Sequence, residues 1–174
     1  MSIISVIDEL WEKREAIILT RQDKKYRIVY SRPGGLFDLI ISHDHEHIGF
    51  ITLKYVGDGT YSIVNDTEIN PHPLFINTPG HGIEIIGKFR KKGVGAALLS
   101  LGIGIVQRDW RYNAEDKKFM VLASDITSLG MGCYQNFGFI IEEGMQVSTG
   151  YYANPDIVPE INILDRKAPF SKRL

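Results

Sequence analysis

From Phe89 to Leu99 the chain reads FRKKGVGAALL: an aromatic, three cations, two glycines one residue apart, then an apolar run. Residues of these types in this order suit an anion. A helix start presents unpaired N–H groups and the positive end of its dipole, and glycine lets a ligand approach the backbone closely. Phosphate is the anion that fits best. The cations alone decide little, because four of them in the five residues from Lys88 to Lys92 also make an ordinary solvated turn. The glycines carry the reading.

Three phosphate-binding patterns compete for this stretch. GIEIIGKF (Gly82 to Phe89) satisfies the GxxxxGK part of a P-loop, but Phe89 stands where a Ser or Thr would hold magnesium, and Ile83, Ile85 and Ile86 read as a strand. GVGAAL (Gly93 to Leu98) begins like a dinucleotide fingerprint but lacks its third glycine and stands late in the chain. Arg90-Lys91-Lys92-Gly93-Val94-Gly95-Ala96 fits (Q/R)xxGx(G/A) without a gap. That is the acyl-CoA pyrophosphate loop of the GNAT superfamily of N-acetyltransferases, which the sequence resembles. Ile83-Glu84-Ile85 stands where the family's fourth strand opens toward the pantetheine, and CYQNFGF (Cys133 to Phe139) is similar to its LYxxxGF signature. The resemblance runs from about Leu36 to Leu164 and is clearest over 83–139; the first thirty residues do not match the usual opening of the family.

The resemblance implies an acetyl-CoA-dependent N-acetyltransferase that passes acetyl directly to a primary amine, with no metal. Amides from Lys91 to Ala96 would ring the pyrophosphate, with Arg90, Lys91 and Lys92 adding charge and Gly93, Val94 and Gly95 forming the bare helix start. In the family the fourth and fifth strands splay, so the pantetheine adds along an exposed edge, here beside Ile83 and Ile85. An N–H near Ile85 would polarise the thioester carbonyl. Thr127 stands where relatives often carry an asparagine near the pantetheine, and it can also cap a helix. Glu84 and Asp125 are the candidate general bases; the fifth-strand position that carries a glutamate in some relatives is Leu122 here. Tyr134 aligns with the family's general acid, and as a bland alternative it is a packed aromatic.

Other clusters invite chemistry less strongly. HDHEH (His43 to His47) gathers three imidazoles and two carboxylates, a metal-like composition, but reads as the turn of a hairpin. His72 and His81 flank the loop before the fourth strand. Cys133, the one cysteine, reads as a buried apolar residue and leaves no internal disulfide and no zinc cluster.

The elements that must position these residues follow from periodicity. An amphipathic helix is expected over about 2–16, with Ile4, Ile7, Leu10 and Trp11 at helical spacing. Strands are expected at 26–31, 36–42, 47–55, near GTYSIVND and at GIEIIGKF, after a Pro-rich loop at 69–80. From Gly93 the period lengthens, and Val94, Ala97, Leu98, Leu101 and Ile105 mark a helix to about Trp110. KKFMVLAS is a strand, TSLGMGCYQN a short helix, and FIIEEGMQVS and VPEINILD are closing strands, with GYYANPD between them. The order predicts a mixed α/β sheet with helices covering it, in one domain over 1–174; the resemblance implies an α/β (α+β) GNAT-like fold, a mixed, mostly antiparallel sheet of about six to seven strands with splayed central strands, flanked by helices.

Composition bounds the rest. The 20 Lys+Arg against 21 Asp+Glu give no reason to expect nucleic acid, and no apolar run reaches the ~20 residues of a membrane span. A cytoplasmic setting is expected. The acceptor is a small molecule or peptide amine that the sequence does not specify, and the amphipathic first helix is a candidate surface for a homodimer, since the family often dimerises. Two rival readings stand beside catalysis: a non-catalytic acyl-CoA sensor, and an interaction domain with a degenerate cofactor site.

Overall fold

The computed structural model of the chain describes residues 3–20, 23–63, 83–85, 87–89, 93–112, 119–122, 134, 139–141 and 149–152. Helix α1 (Ile3–Lys13) buries Val6, Ile7 and Leu10, whereas Ile4, expected on that face, is exposed. The helix ends three residues before the expected boundary. Arg14 takes a left-handed φ of 64°, its N–H bonds to the Leu10 carbonyl at 2.9 Å, and the chain turns into strand β1 (Glu15–Leu19). Ala16 and Ile18 point into the core there, and the run of β-branched residues suits a strand better than a helix end.

Strands β2 (Lys25–Ser31), β3 (Phe37–His43), β4 (Glu46–Gly57) and β5 (Thr60–Ile63) continue as an antiparallel meander. Asp44 and His45, with φ of 48° and 65°, form the two-residue turn joining β3 to β4, so HDHE is the hairpin its sequence suggests. Strand β6 (Ile83–Ile85) is followed by a 3-10 turn at Gly87–Phe89 and helix α2 (Val94–Val106). Strands β7 (Phe119–Leu122), β8 (Phe139–Ile141) and β9 (Thr149–Tyr152) complete one mixed sheet in the order β1-β2-β3-β4-β5-β7-β9-β8, with β6 also on β4. Nine strands are therefore present among the described residues. Every pairing is antiparallel except β5 with β7.

One closing element differs from expectation. GYYANPD does not merely connect strands: Gly150 to Tyr152 belong to β9, which pairs with both β7 and β8. Alternation of aromatic and small residues is ambiguous in so short a run, and pairing on both edges decides it. The strand expected at VPEINILD lies outside the described residues.

Helix α2 is buried around almost its whole circumference, not on one stripe. Val94 and every residue from Ala96 to Val106 are buried. Two glycines make that fit possible. A Cβ at Gly102 would meet Leu53 Cδ1 at 3.0 Å on the sheet, while one at Gly104 would strike the Ile7 side chain of α1. The helix is thus held between the sheet and α1, and ends at Val106 rather than near Trp110. Its C-terminal turn is secured by Asp109, whose buried carboxylate accepts from Arg111 N at 2.9 Å, Nε at 3.1 Å and Nη2 at 2.7 Å.

Candidate functional site

Strand β4 is paired along one edge with β3, while its other edge is shared by two strands in line. Leu53 faces Ile63 of β5, and Ile51 faces Ile83 of β6. Both run in the same direction, so β5 and β6 are halves of one line, interrupted opposite Thr52 by residues 64–82. Among the described residues the parallel partner β7 pairs with the first half, through Tyr61↔Phe119, Ser62↔Met120 and Ile63↔Val121. Among the described residues no strand pairs with the far edge of β6.

The line of β6 leads to the glycines. Gly93 is the N-cap of α2 with φ 83° and ψ 4°, a left-handed conformation that costs an L-residue ~1–2 kcal/mol. It turns the chain into the helix, and Ala97 N–H to Gly93 O at 3.0 Å is the first bond of the helical ladder. The amides of Val94, Gly95 and Ala96 precede that bond and have no carbonyl four residues back within the helix. Val94 and Ala96 bury their side chains, leaving Gly95 half-exposed. A Cβ at Gly95 would meet only Ile85 Cγ1, at 3.9 Å. The helix start therefore lies against the end of β6, and among the described residues nothing else packs on Gly95.

The predicted residues separate into those brought together and those beyond description. Ile83 and Ile85 are half-buried and pack on the core beside the helix start, and Glu84 occupies the register position opposite Phe50. Arg90, Lys91, Lys92, Asp125 and Thr127 lie outside the described residues, as do His72, His81 and Cys133. Tyr134 is helical, 6% exposed, and meets Phe139 edge-on with ring centroids 5.3 Å apart. Tyr134 and Phe139 are thus a packed pair within the core cluster.

The histidines of HDHEH disperse. The His43 Nδ1–H donates to the Lys25 carbonyl at 2.9 Å, and His47 Nδ1 lies 2.9 Å from Ser42 Oγ. Among the described residues no three His, Cys, Asp or Glu side chains are placed to hold a metal.

Sequence reasoning missed two features. Asp38 and Thr52 form a buried pair at the interruption between β5 and β6, with the Thr52 hydroxyl donating to Asp38 Oδ1 at 2.9 Å. The signal was an aspartate inside the apolar run LFDLIIS. The second is a cavity of about 320 Å³ lined by Lys24, Tyr26, His43, Asp44, Glu46, Lys88 and Phe89. Lys88 and Phe89 stand just before the glycine loop in sequence, and the other lining residues come from β2, the β3–β4 turn and their flanks.

No protein-family profile matches the chain, and no curated protein matches it. Among the described residues no helix is long and apolar enough to cross a membrane.

Proposed function

We infer that the chain is a GNAT-like acetyltransferase that transfers acetyl from acetyl-CoA to a primary amine. The observation that carries this reading is the junction of β6 with α2: a short strand, then a left-handed glycine, then three helix-start amides beside Gly95, which carries no side chain. A diphosphate is the group such a face suits, because its charge meets the dipole and its oxygens accept from successive N–H groups. The resemblance adds an extended pantetheine arm along β6, between splayed strands as in the family.

The chemistry then divides among this chain's residues. A lysine-like acceptor with pKa ~10.4 is neutral only about once in 2,500 at pH 7, a deficit near 4.6 kcal/mol. A carboxylate must therefore take its proton, and Glu84 and Asp125 are the candidates. A backbone N–H near Ile85 stabilises the oxyanion, and the Tyr134 hydroxyl returns a proton to the departing thiolate.

Two observations favour a second reading, a non-catalytic acyl-CoA sensor with the same cradle. Tyr134 is packed into the core, and Leu122 on β7 is apolar where some relatives carry a base. Calorimetric titration with acetyl-CoA, beside Gly95→Trp, tests the cradle: saturable binding lost in the variant is expected, and absence of wild-type binding sinks both readings. Turnover across a panel of amines separates them, since the sensor binds without turnover.

A further inference from the structure

We propose that the cavity of about 320 Å³ beside the β3–β4 turn is a binding site for a free aromatic amino acid, held as its zwitterion. The inference is independent of the acyl-CoA reading, since it uses neither the helix start at Gly93 nor an edge of β6.

The register of the sheet builds this cavity. Tyr26 on β2 stands opposite His43 on β3, and His43 stands opposite Glu46 on β4, so the three form one row across the strand ends. Lys88 and Phe89, from the 3-10 turn after β6, close the row. The Lys88 ammonium reaches Glu46 at 2.7 Å, and the Phe89 ring meets His43 edge-on with centroids 5.8 Å apart. Tyr26 and His43 lie with ring centroids 4.9 Å apart, and the bond from His43 Nδ1–H to the Lys25 carbonyl at 2.9 Å fixes the imidazole. Three rings are therefore in place before a ligand arrives, which spares the cost of ordering them. The volume is near the lower limit of ligand sites, about 300 Å³, so the cavity suits one small molecule rather than a peptide.

Charge decides the class of ligand. The lining carries two ammonium groups, Lys24 and Lys88, and two carboxylates, Asp44 and Glu46, which balance one another. A ligand of one sign is attracted by one pair and repelled by the other. A ligand with both signs on one carbon gains from each, and an α-amino acid is the simplest such molecule. Its carboxylate suits the lysines, its ammonium suits the acids, and a flat side chain suits the faces and edges of Tyr26, His43 and Phe89. The Lys88–Glu46 pair does not stand in the way, because the two side chains are 64% and 45% exposed and such a pair exchanges partners at little cost. His43, Asp44 and Glu46 of HDHEH thereby serve one organic ligand.

The full chain is titrated calorimetrically with L-phenylalanine, L-tyrosine and L-tryptophan, and then with phenethylamine and 3-phenylpropionate, which each lack one charge of phenylalanine. Saturable binding of at least one aromatic amino acid is expected, with each singly charged analogue weaker than phenylalanine by about tenfold, as charge-assisted contacts at a solvated site allow. Lys24→Gln/Lys88→Gln should erase the preference over phenethylamine and keep that over phenylpropionate; Asp44→Asn/Glu46→Gln should do the reverse. All four side chains are exposed, so both variants should keep the wild-type urea midpoint. Analogues that bind as well as phenylalanine, or preferences unchanged in both variants, overturn the proposal. Competition by acetyl-CoA also overturns it, by giving the cavity to that ligand. Failure of all three amino acids to bind overturns it too, and leaves the acyl-CoA reading intact.

Discussion

Replacing Gly95 by alanine should move stability and cofactor affinity in opposite directions. Gly95 is the second residue of α2 and half-exposed, and a methyl group there would touch only Ile85 Cγ1 at an ordinary 3.9 Å. Nothing in the fold requires a glycine, and alanine lowers the entropy of the unfolded chain and favours the helix, so Gly95→Ala should stabilise the protein by about 0.5 kcal/mol. The same methyl stands on the face where a diphosphate must approach the amides to within about 3 Å. Crowding a close-fitting contact costs ~1–2 kcal/mol, or fivefold to thirtyfold in acetyl-CoA affinity, and Gly95→Leu should lose more. Urea unfolding and calorimetric titration on the same preparations measure both effects. If alanine and leucine leave affinity unchanged, no ligand approaches this helix start. If alanine destabilises the free protein, the packing argument fails.

Three further perturbations test other links. Gly104→Ala should lose about 1 kcal/mol, because crowding Ile7, whose Cγ1 would lie 2.9 Å from the new methyl, outweighs a gain of ~1 kcal/mol in helix propensity. Ile7→Val should then cost at least ~0.5 kcal/mol less in the Gly104→Ala background than in the wild type, measured by a urea double-mutant cycle. Asp109→Asn should cost about 3 kcal/mol at pH 7, near the lower end for a broken buried ion pair because Arg111 and Arg32 reach solvent. Burial pushes the Asp109 carboxyl up, but hydrogen bonds and charge from Arg111 more than offset this and hold it below the usual carboxylate range. Its contribution is therefore fully present above pH ~4 and lost as pH falls through the lower folded value, so the cost should shrink when unfolding is repeated in acid. Tyr134→Phe should depress turnover while sparing acetyl-CoA affinity; unchanged turnover removes the hydroxyl from the mechanism and favours the sensor.

The sequence made some elements readable because local chemistry alone determines them. The β3–β4 hairpin follows from two β-rich runs flanking HDHE, and the start of α2 from a change of period at Gly93. The elements it concealed depend on distant partners. EAIIL continues the apolar spacing of α1, and only the left-handed Arg14 and pairing with β2 make it a strand. An apolar stripe on α2 was visible, but burial on every side depends on α1 packing against Gly104, a contact no local pattern encodes.

The site shows the same division and explains why half of it was legible. FRKKGVGAALL carries its chemistry in backbone and glycines, and those are local: the left-handed Gly93 and the unfilled face at Gly95 are where the string places them. The cavity draws instead on Lys24 and Tyr26, on the β3–β4 turn, and on Lys88 and Phe89, residues far apart in sequence and joined only by the register of β2, β3 and β4. The interruption of the β5–β6 line is likewise invisible locally, because TYSI and IEI each read as an ordinary strand. Only their successive pairing with β4, at Leu53↔Ile63 and Ile51↔Ile83, reveals one line broken in two. The placement of β6 beside the glycine loop is thus a product of the sheet's register, and a substitution at Leu53 or Ile51 would act on it without touching that loop.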